Sequence, residues 1–203
     1  MHIQYALTNL ASSPKTGCEE RSDDALIAAV AKGDKLAMKV IYARHHVRVY
    51  RFALRLTRDE ALAEDVVSEV FLHAWRGAGN FQAKSKVSTW LLAIAHNKAK
   101  DAIQRRRHEY LSDEDAAEIE DTADNPETTW GKVERSELLR TCLTQLPAAQ
   151  REVLDLVYYH HKSVDEVAQI VGAQASTVKT RMFYARNRLA QMLKEAGVEH
   201  AWA

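Results

Sequence analysis

Between Ala175 and Leu193 the chain runs ASTVKTRMFYARNRLAQML, which holds Lys179, Arg181, Arg186 and Arg188 and no acid, although Lys+Arg and Asp+Glu balance at 28 each over the whole sequence. At about 100° per residue, Val178, Met182, Ala185, Leu189 and Met192 fall on one apolar stripe. Lys179 and Arg186 lie on one shoulder of that stripe and Arg181 and Arg188 on the other, while Thr180, Phe183, Tyr184 and Asn187 share the outer face. Cations on both shoulders, with hydrogen-bonding and aromatic groups between them, suit a helix in a DNA major groove, where the shoulders meet phosphate and the middle meets base edges. A solvated basic face, favoured toward a helix C-terminus, is the alternative that charge alone leaves open.

Such a helix needs a second element to set its angle. Ser163 and Glu166 stand at capping-box spacing, Val164, Val167, Ala168 and Val171 form an apolar face, and Gly172 supplies a left-handed helix end. Ser176 can then cap the next helix. Two short helices joined at a glycine make a helix-turn-helix.

The first half of the chain has a different charge logic. Asp59, Glu60, Glu64, Asp65 and Glu69 crowd the early turns of a helix whose Leu62, Val66, Val70 and Trp75 can face inward. The helix dipole accounts for Asp59 and Glu60; Glu64, Asp65 and Glu69 point instead to a basic partner surface. The following helix runs from Trp90 through His96, Asn97, Lys98 and Lys100 to Arg105, Arg106 and Arg107. An aromatic start and a cationic end suit single-stranded nucleic acid held by stacking and phosphate contact, with Trp90 in a core as the competing assignment. The pairs His45-His46 and His160-His161 make poor metal sites, because neighbours on a helix diverge by about 100° and no third ligand stands at ligand spacing. Cys142, among Leu139, Leu143 and Leu146, is expected to be a buried thiol. With no phosphate loop and no pocket signature around the acids, neither an enzyme, a cofactor nor a metal site is expected.

The remaining features fix the organisation. In 203 residues, 46% hydrophobic and 28% charged, one large core or two small ones can form, and only seven Gly and three Pro favour an all-α fold. Cys18 and Cys142 stand far apart without a CxxC, which argues against a disulfide framework. No run approaches the roughly 20 apolar residues of a membrane span, and MHIQYALTNLASSPKTG lacks the basic start and apolar centre of a signal peptide; a cytoplasmic protein without membrane insertion is expected. Residues 1–21 read as an extension, and 22–108 as a four-helix domain with Asp34, Asp59 and Ser88 at N-cap positions. An acidic linker, 109–131, has nine acids and no Lys or Arg. Residues 132–196 form a smaller helical domain ending in the helix-turn-helix, and 197–203 a tail.

Three stretches taken together, AEDVVSEVFLHAWRGAGNF, STWLLAIAHNKAKDAIQRRR and LPAAQREVLDLVYYHHKSVDEVAQIVGAQASTVKTRMFYARNRL, resemble regions 2 and 4 of bacterial extracytoplasmic-function sigma factors, in that order and across about residues 24 to 195. The resemblance implies a four-helix region 2 domain and a helix-turn-helix region 4 domain. It implies binding to core RNA polymerase, promoter recognition at minus 35 and minus 10 elements, opening of the DNA, and an inhibitory anti-sigma partner. By the same resemblance Glu64, Asp65 and Glu69 correspond to the surface for the polymerase clamp helices. The loop from Asn80 and Phe81 to Ser88, with Trp90, His96, Asn97 and Lys100, corresponds to the minus 10 reader, which the basic end at Arg105 and Arg106 extends; Asn97 and the loop would form a pocket for a flipped base. Ser176, Thr177, Lys179, Thr180, Arg181, Tyr184 and Arg186 correspond to the minus 35 helix, with Arg188 on its shoulder. The loop FQAKSKVSTW departs from the family, which often has a glycine and an aromatic there, so the chosen minus 10 base stays open. Two other classes remain: a helix-turn-helix regulator binding duplex DNA as a dimer, and an interaction protein that sequesters a regulator without touching DNA.

Overall fold

The computed structural model describes residues 21–112 and 130–197, which form helices and their connections with no strand among the described residues. The expected N-terminal extension with Cys18, most of the acidic linker and most of the C-terminal tail lie outside the described residues.

The first unit holds α1 (Asp23–Val30), α2 (Lys35–Thr57), α3 (Glu60–Gly77), a 3-10 turn (Ala78–Asn80) and α4 (Val87–Ser112). Helix α1 begins where Ser22 Oγ accepts from the Ala25 amide, and it buries Leu26, Ile27 and Val30. Asp23 then ties it to α2, accepting from Arg44 and pairing with His45 Nε2, each at 2.8 Å. One histidine of the His45-His46 pair is thereby a structural partner of a carboxylate. The Asp34 carboxylate accepts from the Leu36 and Ala37 amides at 2.9 and 3.1 Å, as its N-cap position requires. Helix α2 ends at Arg58, which turns left-handed at φ 55°.

Asp59 follows and does two things. It caps α3 by accepting from the Leu62 amide at 2.9 Å, and it pairs with Arg106 near the far end of α4. About three turns further along α3, Glu69 meets Lys98 at 2.9 Å and Arg105 at 3.3 Å. The acidic α3 and the basic α4 are thus zipped together over an apolar seam of Ala63, Val66, Val70, Leu91, Ala95 and Ala99. Hydrogen bonds from these cations hold Asp59 and Glu69 below the usual carboxylate range, from Arg106 and from Lys98 respectively.

The second unit holds α5 (Trp130–Thr144), α6 (Ala148–Leu154), a π turn (Asp155–Tyr159), α7 (Val164–Val171) and α8 (Ala175–Glu195). Within the stretch PAAQREVLDLVYYHH helix α6 gives way to that π turn, in which the His160 amide reaches back to the Asp155 carbonyl. The extra residue rotates Leu156 and His160 inward. The capping box of Ser163 and Glu166 forms in full, and Gly172 ends α7 at φ 63°, both as expected. Two expected caps do not form. Ser176 lies inside α8, which starts after Gln174 because the Gln174 carbonyl already accepts from the Val178 amide. Ser88 lies inside the first turn of α4, where the Lys86 carbonyl accepts from the Thr89 and Trp90 amides. Helix α4 also runs to Ser112, past the expected linker start at Glu109.

The two units share one core. Val153, Leu156, Val167, Ile170, Val178 and Met182 belong to the same buried apolar cluster as Val87, Leu91 and Phe52, with α7 packed along α4. Cys142 is buried beside Leu189 and Leu193, as its neighbours suggested, and it fastens α5 to α8. Because Asp59 combines a helix cap with a cross-helix ion pair, Asp59→Ala is expected to lower the unfolding free energy by about 1 to 2 kcal/mol, read by chemical denaturation.

Candidate nucleic-acid interface

Helix α8 presents the face that its sequence promised. Val178, Met182, Ala185, Leu189 and Leu193 are buried, while Ser176, Lys179, Thr180, Tyr184, Arg186, Asn187 and Arg188 are exposed and Thr177 and Arg181 half-buried. The side chain of Phe183 is 60% exposed and meets Tyr184 edge-on at 5.6 Å. Phe183 was expected on the outer face but has no counterpart among the residues that the resemblance assigns to the minus 35 helix; an apolar ring this open beside four cations suits contact with a base or thymine methyl. Thr180 donates to the Ser176 carbonyl at 3.0 Å, which restrains its side chain on the exposed face. The Arg186 guanidinium lies 5.7 Å from the Tyr158 ring, so the π turn helps orient one shoulder of the helix.

The first unit divides its expected residues into three groups. Asn80, Asn97 and Lys100 are exposed. Phe81 and Trp90 are half-buried with their rings 4.9 Å apart, so Trp90 is partly core and partly surface, backed by Phe81. Ser88 and His96 are buried, as is Thr89. In the loop between them, Ala83 sits at φ 52°, in the left-handed region where a glycine is at ease, and an alanine holds that turn at a cost of about 1 kcal/mol. Ala83 is one of the three residues, with Lys84 and Val87, at which the loop departs from the resemblance, and the one of them with a positive φ. Arg105 and Arg106 are on the α3 side, paired with Glu69 and Asp59, roughly 15 Å along α4 from His96. They are not brought together with the loop.

The acidic trio is also divided. Glu64 and Asp65 are exposed on the outer face of α3, together with Leu72, whereas Glu69 is turned onto Lys98 and Arg105.

What covers Ser88, Thr89 and His96 is the second unit. Lys162 Nζ, itself buried, donates to Ser88 Oγ at 2.8 Å and Thr89 Oγ1 at 2.9 Å. Thr89 Oγ1 donates to Glu166 Oε1 at 2.7 Å, and His96 Nδ1 pairs with Glu152. Burial pushes the Glu166 carboxyl up, but the Ser163 amide, the Thr89 hydroxyl and the Lys162 and Lys86 cations outweigh it and bring the group down to about 2. Further along the seam, Arg55 pairs with Asp155 and lies over the Tyr159 ring, and Arg51 donates to Tyr159 Oη at 2.8 Å. None of Lys162, Glu152, Glu166 or Thr89 was legible as an interdomain residue, because a single sequence carries no signal for a pairing across 56 or more positions.

His160 lies in the same seam, against Phe52 with ring centroids 5.5 Å apart. Burial and the nearby cations of Arg55, Arg48, Lys162 and His161 push it down to about 4. Among the described residues no group of three or more His, Cys, Asp or Glu is placed to hold a metal ion, and no helix is long and apolar enough to cross a membrane.

An all-helical chain ending in a helix-turn-helix with an open basic face is a protein built to dock on duplex DNA. Comparison with known families sharpens this: residues 41–109 match the model of sigma-70 region 2 and residues 136–189 that of sigma-70 region 4. The ECF RNA polymerase sigma factor SigM of Mycobacterium tuberculosis is 33% identical over 178 residues, 87% of each chain. The sigma factor SigK of Mycobacterium ulcerans is 31% identical over 172 residues, covering 82% of this chain and 92% of that one. Among solved structures, the sigma factor RpoE of Bartonella quintana, in complex with the anti-sigma factor NepR, superposes with a TM-score of 0.65 at 29% identity, covering 77% of this chain and 96% of RpoE. CnrH, in complex with the cytosolic domain of CnrY, gives 0.62 at 25% identity, covering 86% and 99%. The chain belongs to the extracytoplasmic-function RNA polymerase sigma factors.

A pH dependence follows from His160. Its folded-state value lies below its unfolded one, so the unfolded chain binds the extra proton; the contribution is present above about pH 6.5 and is lost as pH falls through about 4. Glu166 loses its contribution in a lower window, from about 4.5 toward 2. Thermal unfolding from pH 7 to 4.5 is expected to show a steeper loss of Tm for the native chain than for His160→Gln, which has no proton to take up.

Proposed function

We propose that this chain is a transcription initiation factor that binds core RNA polymerase, directs it to promoters through minus 35 and minus 10 elements and promotes opening of the DNA. The observation that carries the reading is the open face of α8: four cations, Thr180, Tyr184 and Phe183 stand outward on the second helix of a helix-turn-helix in a chain of sigma factor ancestry. In this reading α8 takes the minus 35 duplex. Lys179, Arg186 and Arg188 hold phosphate, Thr180 and Tyr184 face base edges, and Arg181 reaches a base edge from its shoulder. Glu64 and Asp65, with Leu72 exposed further along the same helix, meet basic and apolar surface of the polymerase. Asn80, Phe81, Trp90 and Asn97 take the single-stranded minus 10 element, the half-buried ring of Trp90 offering a stacking edge.

Control by an anti-sigma factor is part of the proposal. One similar structure is of a sigma factor in complex with an anti-sigma factor, and another is of CnrH in complex with the cytosolic domain of CnrY; the likeness of this chain to both supports the reading. The activity is one of binding and melting without bond chemistry, and its place is the cytoplasm, where the polymerase is.

Run-off transcription by purified bacterial core polymerase on a pooled library of upstream genomic fragments tests the reading. Defined start sites are expected only when the protein is added; a library that stays silent with core overturns it. On a promoter so mapped, Asn97→Ala is expected to keep polymerase binding and to lose most permanganate reactivity at the minus 10 thymines. Arg181→Ala is expected to cost about 1 to 3 kcal/mol at one minus 35 position, and Arg188→Ala to weaken all sequences alike and lower the salt slope by about one.

A further inference from the structure

Two adjacent tyrosines at the end of the π turn go to different partners. Tyr159 is taken by α2: its hydroxyl accepts from Arg51 at 2.8 Å, and the Arg55 guanidinium lies 3.6 Å from its ring centroid. Tyr158 is left on the α8 side, 49% exposed, with the Arg186 guanidinium 5.7 Å from its ring centroid. Neighbours on a helical turn diverge by about 100°, so one turn serves two elements.

Cations elsewhere in this chain are held by acids. Lys98, Arg105 and Arg106 on α4 meet Glu69 and Asp59, and Arg55 meets Asp155. A carboxylate fixes such a side chain and cancels its charge in the same contact. Helix α8 has no acid before Glu195, and among the described residues none of Lys179, Arg181, Arg186 and Arg188 forms an ion pair. An aromatic ring does something different. Its quadrupole attracts the cation, but the ring carries no net charge. A guanidinium beside it loses freedom to swing away and keeps its full charge for a phosphate, so less ordering remains to be done on binding. Among the described residues Arg186 is the one α8 cation with such a ring from another element. Arg188, on the other shoulder, borders an open groove with Gln145, Gln150 and Gln191.

We propose that Tyr158 is a positioning residue for DNA binding: its ring holds the Arg186 guanidinium on the shoulder of α8 where a backbone phosphate is met, without neutralising it. The inference rests on the reading that α8 docks on duplex DNA, and it adds to that surface a residue outside the helix-turn-helix, supplied by the turn that ends α6. The ring does the work, so phenylalanine can replace Tyr158 and an aliphatic side chain cannot.

The test is binding of the full chain to a fluorescein-labelled duplex of random sequence, followed by anisotropy over a range of low salt. Arg186→Ala is expected to lower the slope of log K against log salt by about 0.9, the share of one phosphate. Tyr158→Ala and Tyr158→Leu are expected to weaken binding about two- to fivefold and to show at least half of that drop in slope, while Tyr158→Phe binds as the native chain does. In an Arg186→Ala background Tyr158→Ala is expected to add nothing, whereas in an Arg188→Ala background the two losses add. Tyr158→Leu keeps apolar bulk in the turn and carries the test if thermal unfolding shows that Tyr158→Ala has lost the fold. Native binding by Tyr158→Leu overturns the proposal, as does a Tyr158→Ala loss that is equally large without Arg186. A Tyr158→Phe loss as large as that of Tyr158→Leu makes the hydroxyl the active group and overturns it too, and so does a full chain that leaves the duplex unbound at low salt. Silence in the run-off assay with the Tyr158–Arg186 coupling intact overturns the initiation reading alone. Start sites from the native chain together with additive losses overturn the positioning role alone.

Discussion

One carboxylate connects the parts of this molecule. Glu166 Oε2 accepts from the Ser163 amide to close the capping box, and Glu166 Oε1 accepts from Thr89 on α4 and from Lys162. Helix α7 has only eight residues, too few to be stable by itself. It persists because its cap and its apolar face, Val167 and Ile170, are both engaged, the first by Glu166 and the second by the common core. The contact that lets the helix-turn-helix fold is thus also the contact that docks it on the first unit. Its outer helix still keeps a free face, because α8 is held by Val178 and Met182 on the side opposite Thr180, Phe183 and Asn187.

Charge on α3 is arranged by the same kind of constraint. Four helices around one seam leave α3 with an inner edge, occupied by the cations of α4, and an outer edge in water. Asp59 and Glu69 fall on the inner edge, where hydrogen bonds from Arg106 and Lys98 hold them ionised. Glu64 and Asp65 fall on the outer one. Acids that look alike along the chain are therefore divided by the helix into those that hold the domain together and those left for a partner.

Much of this was legible in the sequence because it depends on near neighbours. The capping box at Ser163, the left-handed Gly172, the caps at Asp34 and Asp59 and the two-faced α8 follow from spacings of three and four residues. Ser88 and Ser176 show where local spacing misleads: each has a cap's chemistry, but a backbone carbonyl two residues earlier, of Lys86 and of Gln174, had already started the helix. Arg105, Arg106 and Glu69 carried the right sign for a partner and found one inside the fold, which no property of a single helix reports. The π turn was hidden for a similar reason, since its cause is the inward demand of Leu156 and His160 at a seam formed with residues about a hundred positions earlier.

That seam contains groups a permanent interface has little use for. Lys162 and His160 are buried beside other cations, and burial holds the pKa of each down. Replacing a buried ionic set by apolar residues of like volume is often neutral or stabilising, so stability does not require polar groups here. What they supply is direction. Lys162 meets Ser88 and Thr89, and Thr89 in turn meets Glu166, so one register of α7 against α4 satisfies all four groups at once, and a shift of one residue leaves buried polar atoms without partners. Apolar residues in the same places would accept several registers.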